Sequence, residues 1–135
     1  MMDIPLSISR ILTYGSTVHA NTKVTTWHGG RAGEDASDSP AEETTFADIA
    51  ARAAAFAHAL HDDLGITGDE RVGTLLWNCA EHLEVMFASS CKGAVFTPLN
   101  KQLMNDQIRH IVNHAEIEVV VADPRLAEQL GQVLA

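Results

Sequence analysis

From residue 46 onward, apolar side chains recur every three or four positions. Phe46, Ile49, Ala50, Ala53, Phe56, Ala57, Leu60 and Leu64 fall on one side of a 3.6-residue period, the stripe of an amphipathic helix. Thr45 stands where an N-cap belongs, and Asp48 three residues later puts negative charge at the helix start. Gly65 is the predicted stop. The period then shortens. Residues 72–76 read as a strand, after which Asn78 is predicted to cap a helix, with Glu81 at capping-box spacing. Cys79, His82, Leu83, Met86, Phe87 and Ser90 share that helix's stripe, and Gly93 closes it. Residues 94–97 give a second strand, and Ile108, Ile111, Val112 and Ala115 mark a third helix. Residues 119–122 are continuously apolar, as expected of a strand covered on both faces. Asp123-Pro124 then supplies a cap and a first-turn proline for a last helix lined by Leu126, Leu130, Val133 and Leu134.

Strands alternating with helices of ten to fifteen residues predict an α/β fold, a parallel sheet with flanking helices. The front of the chain is less regular. Residues 8–14 read as a short helix and 24–27 as a β-branched, aromatic strand. Residues 28–43, which include GGRAGEDASDSPAEE, read as a long acidic loop or hairpin turn. The expected division is an N-terminal segment over 1–23 and an incomplete α/β portion over 24–135. Ile4, Leu6, Ile8, Ile11 and Leu12 make an apolar stripe in the first segment that would serve as a dimer contact. Leu134-Ala135 offers no local helix cap, so the chain is expected to continue.

At 135 residues and 46% hydrophobic content the chain can build one core, and 5% aromatic content makes that core aliphatic. The net charge of −9, with nine scattered Lys and Arg, excludes nucleic acid as the expected partner. No apolar run approaches the ~20 residues of a membrane span, and the first residues lack the pattern of a secretory signal. Cys79 and Cys91 fit no common metal or redox spacing. A cytoplasmic protein with reduced thiols is the expectation.

Several residues invite chemistry, and for each the structural role is favoured. His110 and His114 are four apart and His58 and His61 three apart, but a zinc centre needs three or four ligands, so surface histidines are expected. Gly29, Gly30 and Gly33 run into Glu34, Asp35 and Asp38, which would repel a phosphate. Cys91 lies near a helix end rather than the start that lowers a thiol pKa, and Ser89 and Ser90 have no accompanying base. His82 and Glu81 are adjacent and point apart. Asp48 and Arg52 read as an ordinary i, i+4 surface pair. Trp77, Asn78, Pro98 and Asn100 fall at the carboxyl ends of predicted strands, where ligands of open α/β sheets bind. The cap and strand-stop roles of Asn78 and Pro98 account for them without a ligand.

Five pieces occur in an order similar to the opening of the ATP-dependent acyl-CoA synthetases, the adenylate-forming ligases. They are Thr45-Phe46 entering an Ala-rich helix; Leu64, Gly65 and Ile66 followed by Gly68, Asp69, Arg71 and Val72; Trp77-Asn78 with Glu81; Lys92 to Phe96 with Pro98, Leu99 and Asn100; and the strand at 119–122. Leu12, Tyr14, Gly15, Ser16, Val18 and His19, with Asn113 to Glu116, look most like bacterial medium- or long-chain fatty-acid ligases. Met104, where that family often has a Ser or Thr cap, and the acidic stretch after Trp27 depart from it; Asn105 is the expected replacement cap. The resemblance implies a longer enzyme that converts a fatty acid and ATP to an acyl-adenylate and passes the acyl group to coenzyme A. ATP, Mg2+ and coenzyme A are thus implied as its cofactors, and a homodimer as its assembly. The family's phosphate loop, magnesium-holding acids and catalytic lysine have no counterpart in this segment, so no catalytic, cofactor-binding or metal residue is carried onto it. The other readings are a small-ligand or nucleotide-binding α/β module without chemistry, an interaction fragment, and a fatty-acid–AMP ligase with a carrier-protein acceptor.

Overall fold

The computed structural model describes Pro5, residues 7–27 and residues 41–135. Helix α1 (Ile8–Val18) leads into strands β1 (Lys23–Trp27) and β2 (Ala41–Thr45). Helix α2 (Phe46–Asp62) follows, then β3 (Arg71–Leu75), α3 (Ala80–Lys92), β4 (Val95–Pro98), α4 (Asn105–His114) and β5 (Ile117–Ala122). A 3₁₀ turn (Pro124–Leu126) opens α5 (Ala127–Leu134). The sheet has the order β4-β3-β5 and is parallel throughout, as the alternating period requires. Its strands sit within one or two residues of their predicted bounds.

Strand β3 lies at the centre, buried from Val72 to Leu75. Gly73 lets β5 come close: a Cβ there would lie 2.9 Å from Ile117 Cγ2. One core packs Ile49, Ala53, Leu60, Val72, Val85 and Phe87 between α2, α3 and the sheet. A second, with Leu75, Leu99, Ile108, Val112 and Val133, lies under α4 and α5. Strand β5 departs from expectation. It is an edge strand, and Val119 to Ala122 are half-buried rather than covered on both faces. An apolar run records how much burial a strand can use; which neighbours supply it is a matter of tertiary structure.

The cap of α2 forms as the sequence predicts. Asp48 N–H donates to Thr45 Oγ1 at 3.2 Å, and Thr45 N–H donates to Asp48 Oδ2 at 3.1 Å. The Thr45 hydroxyl is the main reason the Asp48 carboxyl is held below its ordinary range. Gly93 takes φ +82° at the end of α3, a left-handed conformation that glycine adopts without a Cβ penalty. Asp123 also caps as expected, its Oδ1 accepting from Arg125 N–H at 2.8 Å.

Other expectations are corrected. Asn78 does not cap α3: Cys79 occupies the N-cap and makes no side-chain capping bond. The Ala80 N–H instead donates to Thr26 Oγ1 of β1 at 2.9 Å. Asn105 is the first residue of α4 rather than its cap, and Gln107 Oε1 returns to the Met104 N–H at 3.1 Å. Arg52 does not pair primarily with Asp48; its Nε lies 2.8 Å from Glu84 Oε1 on α3. Helix α1 runs to Val18, four residues beyond its predicted end.

Residues 41–43, expected in the loop, belong to β2, which pairs antiparallel with β1 from Lys23↔Thr45 to Trp27↔Ala41. That strand is polar and largely exposed, so no alternation betrays it. The remainder of the loop and the Gly29, Gly30 and Gly33 cluster lie outside the described residues, as do Ile4 and Leu6. The end of α5 does receive a cap, from another helix: Arg109 donates to Val133 O at 2.8 Å and to Gln132 O at 2.7 Å.

Candidate functional site

The carboxyl ends of β3 and β4 bring together the four residues singled out there by sequence. Trp77 and Asn78 follow β3, Pro98 ends β4 and Asn100 follows it. Three clefts open around them. One of about 450 Å³ runs between β1, the β3–α3 turn and the end of β5, with Trp27, Trp77, Asn78 and Arg125 in its walls. A second, of about 380 Å³, is mostly apolar and lies between β1, α3 and β4. The third, about 250 Å³, is lined by Asn78, His82, Asn100 and Lys101 among others. Asn78 faces all three.

Trp77 is 40% exposed and carries cations on its indole. Lys101 Nζ lies 3.8 Å from the ring centroid and Arg125 Cζ 5.6 Å, within the range of a cation–π attraction. Arg125 is also held by Asp123, with Nε–Oδ1 at 2.9 Å and Nη2–Oδ2 at 2.7 Å. Those bonds pull the Asp123 carboxyl down to about 2.

His82 locks the turn from below. Its Nδ1 is 3.2 Å from Trp77 O and its Nε2 2.9 Å from Thr74 Oγ1. A carbonyl only accepts, so Nδ1 carries the proton and Nε2 accepts from the threonine hydroxyl. Burial lowers the His82 pKa, in keeping with this neutral tautomer. Both nitrogens are engaged, so His82 is a clamp and not a free base.

The remaining residues weighed for chemistry stay apart. Burial pushes the thiols of Cys79 and Cys91 up, the opposite of an activated nucleophile. Ser89 is fully buried on α3. His110 and His114 are exposed on α4 with their rings 5.6 Å apart, and His61 Nδ1 lies 2.8 Å from Asp62 Oδ1. Among the described residues no three His, Cys, Asp or Glu side chains converge as a metal site would require. The donors at the sheet edge do not fit a magnesium-bound nucleoside triphosphate either, since Arg125 is neutralised by Asp123 and Glu81 shares the 450 Å³ cleft. Sequence reasoning missed Thr26, Lys101 and Arg125 here, and weighed His82 without its contacts to Thr74 and Trp77. The first is 54 positions from its partner, and the others gain meaning only from the chain packed beside Trp77.

A parallel sheet with flanking helices and clefts at its carboxyl edge defines an open α/β protein of the kind that binds ligands beyond its strand ends. Residues 24–134 match the AMP-binding enzyme family, and the chain belongs to it. It is 32% identical over 123 residues to the 3-methylmercaptopropionyl-CoA ligase of Ruegeria lacuscaerulensis, covering 91% of this chain and 21% of that protein. It is 39% identical over 74 residues to the medium-chain-fatty-acid–CoA ligase of Ectopseudomonas oleovorans, covering 52% and 14%. The solved N-terminal domain of FACL13 from Mycobacterium tuberculosis shares the fold at TM-score 0.75 and 24% identity, over 96% of this chain and 30% of that one. The chain spans about a fifth of the length of the first of these ligases.

Proposed function

We propose that this chain is part of a longer acid–thiol ligase that activates a carboxylic acid with ATP and transfers it to coenzyme A. The observation that carries the reading is the family match over 24–134, supported by relatives that are themselves CoA ligases. Within that enzyme the segment acts as scaffold. Phosphates, magnesium and the thiol are handled by residues outside it, because adenylation requires preorganised positive charge and N–H donors that the sheet edge does not offer.

A medium- or long-chain fatty acid is the proposed substrate, on the stretches from Leu12 to His19 and from Asn113 to Glu116 and on the fatty-acid ligase relative. A short sulfur-containing acid is the second reading, on the 3-methylmercaptopropionyl-CoA ligase. The enzyme is proposed to be cytoplasmic; no helix among the described residues is long and apolar enough to cross a membrane. It is also proposed to be a homodimer, because Ile11, Tyr14 and Val18 of α1 are about 60% exposed and such a stripe gains by burial against a second chain.

Pyrophosphate release by the full-length protein, measured with 3-methylmercaptopropionate and straight-chain acids of increasing length, tests the function. Highest kcat/KM on medium or long chains supports the first reading, and highest on the thioether acid the second. No turnover with any acid refutes both. ATP-dependent turnover by residues 1–135 alone would refute the scaffold role. For the dimer, light scattering should show two chains before deletion of residues 1–20 and one after; a monomer at the start refutes it.

A further inference from the structure

We propose that Thr26 is a positioning residue for the β3–α3 turn: its buried hydroxyl holds the Ala80 amide and thereby fixes Asn78 and Cys79 at the mouth of the clefts. The proposal rests on the ligase reading for its effect on catalysis, and on geometry alone for its effect on the turn.

Strands β1 and β2 form a sheet of their own, with no ladder to the three-stranded sheet. Thr26 is nonetheless 5% exposed, while Thr25 and Trp27 on either side of it face solvent. Its Oγ1 receives the N–H of Ala80, the first residue of α3, at 2.9 Å. That amide is one of the helix-start donors with no partner inside the helix, and Cys79 does not cap it with its side chain. The opposite end of the turn is tied at Trp77 O by His82. The turn is therefore anchored at both ends, by a side chain from α3 itself and by one from a hairpin that precedes it by 54 residues. Asn78 and Cys79 lie between the anchors. Thr26 also lines the two larger clefts on either side of them, so a shift of the hairpin moves the wall and the turn together.

The test uses Thr26→Val, which keeps the shape and removes the hydroxyl, and Thr26→Ser, which restores it, both in the full-length protein. Amide exchange over residues 78–82 and thiol labelling of Cys79, each read by mass spectrometry, report the turn; labelling of the exposed Cys91 is the internal control. Thr26→Val should raise both the exchange and the Cys79 labelling rate about tenfold, the scale set by a buried N–H left without an acceptor. Cys91 should not change, and Thr26→Ser should return both rates close to wild type. The kcat/KM for the acid should fall in Thr26→Val and recover in Thr26→Ser.

Unchanged exchange and labelling would overturn the proposal, as would equal acceleration at Cys79 and Cys91, which reports general loosening. A loosened turn with unaltered kcat/KM would reduce Thr26 to a helix cap. Wild-type protein inactive on every acid would sink the ligase reading instead, leaving exchange and labelling to decide the role of Thr26 in the turn.

Discussion

Gly73 sits in the central strand with β5 closed down upon it, and Gly73→Ala measures how tightly. The new Cβ would lie 2.9 Å from Ile117 Cγ2, 3.3 Å from Ile117 Cδ1 and 3.4 Å from Val120 Cγ2. The first distance is shorter than packed carbons tolerate, so β5 must shift or Ile117 must leave its rotamer. Overpacking of this kind costs about 1–3 kcal/mol. Replacing glycine by alanine returns about 0.4–1 kcal/mol by restricting the unfolded chain. The net expectation is a loss of about 1–2 kcal/mol. Amide exchange in the intact protein reads it directly: peptides covering β3 and β5 should exchange roughly 5–30 times faster. Ile117→Ala removes both close atoms. The double variant should then be more stable than the sum of the single changes by about 1 kcal/mol, because the residues are in contact. Strict additivity, or exchange in Gly73→Ala within twofold of wild type, would refute the reasoning.

Other expectations follow from side-chain contacts between elements. Arg109→Met should cost about 1.5–3 kcal/mol, the range for charge-assisted bonds left unmade, since two carbonyls at the end of α5 lose their donor; peptides over 127–135 should exchange faster while those over α2 stay unchanged. Arg52→Met should destabilise by about 1–2 kcal/mol at pH 7, a buried-pair cost discounted because Arg52 is half exposed. Burial holds the Glu84 carboxyl above its ordinary 4.5, so the folded state favours its protonated form; the loss should shrink below about pH 4.5 and grow as pH rises through the elevated value. Thermal melts of Arg52→Met at pH 4 and pH 7 check this, and an equal loss at both would contradict it. Glu70 is held down to about 2 by the Gly68 N–H and then by the Thr67 hydroxyl. Its contribution is present above about 4.5 and lost as pH falls toward 2, so Glu70→Gln should flatten the acid limb of a pH–stability curve over that interval.

Much of the fold is legible in the chain because its signals are local. The Thr45–Asp48 pair, Gly93 and Asp123-Pro124 mark element ends through bonds and dihedral angles spanning three or four residues. The switch of period between 60 and 72 separates α2 from β3 without reference to anything else. Strand β2 escaped because an exposed polar strand has no hydrophobic alternation to show. The cap of α3 was misassigned for a related reason: Asn78 is the right residue type nearby, yet the hydroxyl that serves came from Thr26, 54 positions earlier. Arg52 likewise exchanged a neighbour on its own helix for Glu84 on the next. At the sheet edge the sequence placed Trp77, Asn78, Pro98 and Asn100 by topology alone, since strand ends follow from strand positions. It could not place Lys101 and Arg125 over the Trp77 ring. The sequence by itself thus determined the order and type of the elements and the parallel sheet, because caps, periods and turns act over a few residues. Tertiary structure alone decided which distant groups meet, because those partners are chosen by how the helices and the hairpin pack, and no short-range pattern encodes that choice.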